Sequence, residues 1–87
     1  MVMYAIDWKN KASKQLSKID KKSTRDEIYD AADTLCNFPE VRQIKRLTNH
    51  QYDYRLRVGR YRIFFNVGDT VQIIYIEEVK KRDDRTY

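Results

Sequence analysis

Cysteine, histidine, proline and glycine are nearly missing from this 87-residue chain, which holds one Cys, one His, one Pro and two Gly. With Cys36 alone, no intrachain disulfide forms, and a reducing, cytoplasmic compartment is the natural reading. Two glycines leave no Gly-rich phosphate loop. A Ser-His-Asp set, a Cys-His pair in a nucleophile's context and a carboxylate dyad are all missing, which removes most hydrolytic chemistry. Nowhere do Cys, His, Asp and Glu cluster at metal-ligand spacing, so neither a metal nor a small-molecule cofactor is expected. The start of the chain lacks the basic and long apolar regions of a signal peptide, and no apolar run approaches the length of a transmembrane helix, so no membrane partner is expected either.

What the chain has is positive charge and strands. Lys and Arg number 18 against 13 Asp and Glu, a formal net charge of +5, and 13% of residues are aromatic. That balance suits a nucleic-acid or ribosome partner, or an acidic protein, and the aromatic and apolar strands argue against disorder. The length predicts a single domain over residues 1–87 with a modest core.

Val2 to Ile6 reads as a first strand, and Asp7 as the N-cap of a helix from Trp8 to Ile19, with Trp8, Ala12, Leu16 and Ile19 on one stripe. Thr24 and Glu27 stand at capping-box spacing before a second helical stripe of Ile28, Ala31, Ala32 and Leu35, which stops ahead of Pro39. Phe38 to Asn49 lacks any period and reads as a loop, in which Lys45 and Arg46 offer RNA contacts or ordinary solubility. Gly68-Asp69 reads as a turn into a strand from Val71 to Val79; a two-residue turn sets Tyr75 opposite Arg62, and a three-residue turn would swap the faces. The expected fold is α+β: strand-helix-helix-strand-strand-strand, two helices packed on one face of a twisted, mainly antiparallel sheet.

The most informative stretch is Tyr52 to Arg62. Its alternation around Gly59-Arg60 predicts a hairpin with Val58 opposite Tyr61, Arg57 opposite Arg62, Leu56 opposite Ile63, Arg55 opposite Phe64 and Tyr54 opposite Phe65. Tyr52, Tyr54, Leu56, Val58, Tyr61, Ile63, Phe65 and Val67 then make an apolar face. Arg55, Arg57 and Arg62 gather on the other, beside Asp53, Phe64 and Asn66. Such a face is either the solvated side of an antiparallel sheet or a phosphate site, since guanidinium groups donate paired hydrogen bonds to phosphate oxygens. Like charges within cross-strand reach repel one another. Unless Glu77 or Glu78 neutralises them, a bound anion accounts for the arrangement.

From Leu47 to Tyr87 the chain resembles the C-terminal half of the RelE/ParE superfamily of toxins from toxin–antitoxin systems. The resemblance is carried by Tyr-x-x-Arg-Leu-Arg-x-Gly-x-Tyr-Arg-hydrophobic at Tyr52 to Ile63, by the Val/Ile-rich strand from Val71 to Ile76, and by the basic tail from Lys80 to Tyr87. In RelE-type nucleases, basic residues on the central strands and in the C-terminal segment form the catalytic surface, with a tyrosine near the end. The resemblance therefore implicates Arg55, Arg62, Lys81 or Arg82, and Tyr87 in catalysis, with Arg85 a further candidate in the tail; Arg57 on the hairpin, Lys45 and Arg46 in the loop, and Arg85 are the expected RNA contacts. It casts Arg62 as the phosphate clamp and Tyr87 as a general base or a stacking group. Arg55 stands where such nucleases often have lysine, and an arginine does not readily give up a proton. Asp53 departs from the family, some of whose nucleases have a basic residue about there; its carboxylate would repel phosphate but could orient Arg55, and His50 is a second-rank acid or base.

The implied activity is that of a ribosome-dependent endoribonuclease, which enters the 30S A site, cleaves mRNA there and is neutralised by a cognate antitoxin. Two other readings stay open. One is a ParE-like inhibitor of DNA gyrase, and the other is a non-catalytic RNA-binding module.

Overall fold

The structure, a computed structural model, describes residues 3–82. Five strands form one mixed sheet: β1 Ala5–Trp8, β2 Ile44–Arg46, β3 Tyr54–Val58, β4 Tyr61–Val67 and β5 Ile73–Lys81, in the spatial order β1-β5-β4-β3-β2. Helices α1 Asn10–Ser17 and α2 Lys22–Asp33 follow β1, and a 3-10 turn over Thr34–Asn37 extends α2. Among the described residues only the β1–β5 pairing is parallel. The α+β architecture is the expected one with one strand more.

The core forms where both helical stripes meet the apolar sheet face. Ala12 of α1, with Ile28 and Ala32 of α2 and Leu35 beyond it, packs on Leu56, Val58, Ile63, Phe65, Ile74, Ile76 and Val79. Phe65, Ile28, Leu35, Ile63, Ile74 and Ile76 are its largest fully buried side chains. Burying each apolar side chain of this size stabilises the fold by about 1.5 to 3 kcal/mol.

Helix starts differ from the sequence-based expectation. β1 begins at Ala5 and runs through Trp8, because it pairs in parallel with Ile73–Ile76 and the Lys9 amide donates to the Ile76 carbonyl. Extended backbone therefore reaches Lys9, which takes the N-cap position in place of Asp7. Trp8 leaves the α1 stripe and stacks on Tyr29 of α2, with ring centroids 5.8 Å apart. α2 opens at Lys22, which puts Thr24 inside its first turn, and no side chain caps it. The turn between the helices is fastened by Arg25 instead, whose Nη1 donates to the carbonyls of Ile19 and Asp20.

β2 occupies part of the stretch expected to be a loop. Three residues are too few for alternation to show, but Ile44–Arg46 pairs with Tyr54–Leu56, following Gln43 at φ +67°. The β3–β4 hairpin has the expected register at all five pairs, and Gly59 at φ +55° supplies the left-handed turn residue.

The next register is different. Residues 68–72 form a longer loop, β5 starts at Ile73 rather than Val71, and Arg62 lies opposite Lys80 rather than Tyr75. Gly68 explains the change: its amide donates to the Ile73 carbonyl, and a Cβ there would stand 2.7 Å from the Val71 carbonyl oxygen. The chain folds back on this glycine and takes up residues that a two-residue turn would have paired. A bulge follows, since Phe64 pairs with Glu78 while Phe65 pairs with Ile76, leaving Glu77 as the extra residue.

β1 covers only the first half of β5. Beyond Ile76 the open edge is met by α1, where Gln15 Oε1 accepts the Val79 amide at 2.6 Å. A side-chain amide thus replaces the missing strand.

Candidate functional site

The sheet face opposite the core carries two cross-strand rows. Arg57, Arg62 and Lys80 are consecutive partners on β3, β4 and β5; Lys45, Arg55, Phe64 and Glu78 are partners on β2 to β5. Neighbouring strands lie about 4.8 Å apart, so the three-strand row spans roughly 10 Å and the four-strand row roughly 14 Å. Arg57, Arg62, Lys45 and Lys80 are exposed, while Arg55, in the second row, is half-buried. Burial, followed by the charges of Arg62, Arg57 and Arg82, lowers the pKa of the Arg55 guanidinium. Among the described residues, no carboxylate forms an ion pair with Arg55, Arg57, Arg62 or Arg82.

The two nearby glutamates are engaged elsewhere. Glu77 Oε2 accepts from Asn66 Nδ2 at 3.3 Å. Glu78, only 5% exposed, accepts the Tyr52 hydroxyl on Oε2 at 2.8 Å and holds Gln15 Nε2, Lys11 Nζ and Lys80 Nζ around Oε1 at 3.5, 3.4 and 3.6 Å. Burial alone would push its carboxyl pKa up. The hydrogen bonds of Tyr52, Gln15 and Lys11 and the charge of Lys80 outweigh that and hold it below the ordinary glutamate range. Tyr52 responds in the opposite sense: burial, then its bond to Glu78 and the charges of Glu78 and Glu77, raise it to about 12.

Tyr52 was expected on the apolar face and lies on the other one. It precedes β3, and its ring meets Phe64 at 5.6 Å and His50 at 5.9 Å. His50 in turn stacks on Phe64, centroids 5.2 Å apart and planes within 13°, while its Nδ1 accepts the Tyr52 amide at 3.1 Å.

Alternation along β5 sorts the tail. Lys81 is the partner of Tyr61 and lies on the helix side, away from the arginines. Arg82 continues the face of Glu78 and Lys80, its amide donates to the Arg60 carbonyl, and its charge acts on Arg55. Arg46, partner of Tyr54, is likewise on the helix side, where with Asp53, Tyr54 and Val67 it lines a shallow cavity. Arg85 and Tyr87 lie outside the described residues. Among those described, no three His, Cys, Asp or Glu side chains converge as a metal site.

Chemically, this face offers several fixed cations, a neutral phenol and one buried carboxylate. It is suited to binding phosphate and to stabilising extra negative charge on it. A family model for the ParE toxin of type II toxin–antitoxin systems, parDE, matches residues 6–85. The chain belongs to this toxin family.

The toxin's fold is that of solved RelE structures. It is similar to a RelBE toxin–antitoxin complex from Mycobacterium tuberculosis, with TM-score 0.78 and 23% identity over 93% of this chain and 100% of that one. The archaeal RelE–RelB complex from Pyrococcus horikoshii gives TM-score 0.78 and 24% identity, covering 97% and 100% of the two chains. The isolated Escherichia coli RelE toxin gives TM-score 0.77 and 18% identity, covering 94% and 87%. No curated protein sequence matches the toxin.

Lys80, Lys11 and Gln15 belong to the toxin's basic face although sequence reasoning had not placed them there, and Glu78, weighed as a neutraliser of the arginines, is held by Tyr52, Gln15, Lys11 and Lys80 instead. The period-two spacing of Glu78, Lys80 and Arg82 was a usable signal. Lys11 and Gln15 had none, because their part in the face depends on α1 lying along the β5 edge.

Proposed function

We propose that the toxin is an endoribonuclease that cleaves mRNA in the ribosomal A site and is held inactive by a cognate antitoxin. The observation that carries this reading is the group of Arg55, Arg57, Arg62 and Arg82 on one sheet face, with no carboxylate partner among the described residues. A sheet does not gather like charges without cost, and a phosphodiester offsets that cost when bound.

In the reaction proposed, the ribose 2′-oxygen attacks the adjacent phosphorus and the bond from phosphorus to the 5′-oxygen breaks. A 2′,3′-cyclic phosphate and a 5′-hydroxyl result; the 2′-hydroxyl gives up a proton and the leaving 5′-oxygen gains one. Arg62 clamps the phosphate and, with Arg55 and Arg82, stabilises the charge that grows on its oxygens. Arg57, Lys45, Lys80 and Arg85 bind flanking backbone phosphates. Tyr87 is assigned the proton transfer from the 2′-hydroxyl, or stacking on a base. Glu78 is a poor base because its pKa is depressed and Tyr52, Gln15, Lys11 and Lys80 surround its oxygens. Alignment for in-line attack therefore falls to the ribosome.

The family match favours a second reading, inhibition of DNA gyrase, in which the same face binds protein and no bond is broken. Adding purified toxin to a translating extract and to a gyrase supercoiling reaction separates the two. New 5′ ends inside reading frames with normal supercoiling support the nuclease. Cleaved, gyrase-trapped DNA with intact mRNA supports the inhibitor.

A further inference from the structure

We infer that the outer face of the His50 ring is a stacking site for a nucleobase of the bound RNA. This rests on the reading of the arginine face as an RNA interface and adds to it a place for a base beside the phosphate clamp.

His50 is exposed, yet its ring is fixed. Asn49 at φ +52° turns the chain so that His50 folds over the sheet, a backbone conformation asparagine tolerates. One ring face lies on Phe64 and Nδ1 accepts the Tyr52 amide. An exposed aromatic ring held at two points binds a base with little loss of its own freedom. Stacking is also tolerant of sequence, because every base presents a π face.

Position relative to charge makes the assignment specific. Phe64, the support of the ring, is the cross-strand partner of Arg55 and stands two residues after Arg62 on the same face. Residues two apart on a strand are separated by roughly 6.6 Å, so a nucleotide whose phosphate meets Arg62 has a platform within one step of the pleat.

The hydrogen bond also bears on proton transfer. Accepting the Tyr52 amide requires a lone pair on Nδ1, which in the neutral ring puts the proton on Nε2. The outward nitrogen is then a donor, and the ring serves as a surface rather than a general base.

Two substitutions separate the possible roles. His50→Asn keeps a short oxygen acceptor for the amide two residues on but removes the ring. His50→Phe keeps the ring and removes the acceptor. The probe is a short single-stranded RNA carrying 2-aminopurine, bound at low salt to the full-length chain, with fluorescence quenching reporting stacking and titration reporting affinity. Thermal melting shows that each variant is folded.

Wild type and His50→Phe should quench the probe, and His50→Asn should bind about 5- to 100-fold more weakly with little quenching. The reverse pattern, with Asn normal and Phe defective, would mean that His50 only braces the Tyr52 amide and would overturn the inference. If Arg62→Ala loses binding while His50→Asn does not, the RNA-binding face stands and the stacking site falls. A wild-type chain that neither binds nor quenches the probe overturns both.

Discussion

Arg57 and Arg62 are direct cross-strand partners, two guanidinium groups facing each other across the β3–β4 hairpin with Lys80 beyond them on β5. Such a row works against folding at low salt and in favour of binding an anion. Arg57→Thr keeps a strand-forming side chain and removes one repelling charge, so it should raise the urea midpoint. Like-charge cross-strand pairs cost about 0.2 to 1 kcal/mol, and added salt should shrink the gain. Urea titrations at low and high salt check both.

Tyr52 and Glu78 form a buried pair with opposite pH limits. Glu78 is held below the ordinary glutamate range, so its contribution is complete above that range and is lost as pH falls through its folded value. Tyr52 is raised from 10 to about 12, so its contribution is complete below 10 and is lost as pH rises towards 12. Tyr52→Phe should cost about 1.5 to 3 kcal/mol, the usual worth of a hydrogen bond to a charged group. Its deficit should narrow at the acid end, where Glu78 becomes protonated in both proteins. Denaturation as a function of pH measures this directly.

The Val79 amide owes its protection to a residue 64 positions away, Gln15. Gln15→Ala leaves that amide without its partner at the β5 edge and takes one donor from Glu78. Hydrogen exchange at Val79 should accelerate more than at Ile74 or Ile76, which are buried deeper in the sheet. Equal acceleration at all three would mean global rather than edge opening.

The hairpin was legible in the sequence because its information is local: period-two alternation and one glycine able to take positive φ determine every pair from Val58–Tyr61 to Tyr54–Phe65. Helical stripes were legible for the same reason, although their starts were not. Parallel pairing carried β1 through Trp8, and Arg25 fastened the turn where a capping box at Thr24 and Glu27 was expected.

The β5 register was hidden because it depends on Gly68 closing against Val71 and Ile73, with a bulge at Glu77 adding to it. The loop and the bulge together concealed Lys80 opposite Arg62. The Glu78 network was hidden more deeply, since Lys11, Gln15, Tyr52 and Glu78 come from three parts of the chain. Tyr52 matched the alternation of β3 and still lies on the other face, because it sits before the first paired residue.

Single-turnover cleavage of mRNA on saturating ribosomes, comparing wild type with Arg62→Ala, tests the central claim most directly. The exposed side chain should be removable without unfolding the hairpin, so melting and ribosome binding at low salt serve as controls. Loss of one preorganised charge donor typically costs a factor of about a hundred to a thousand in the chemical step, and that fall is the predicted result. A folded Arg62→Ala protein that cleaves at the wild-type rate would contradict it and reduce the arginine cluster to the solvated side of a sheet.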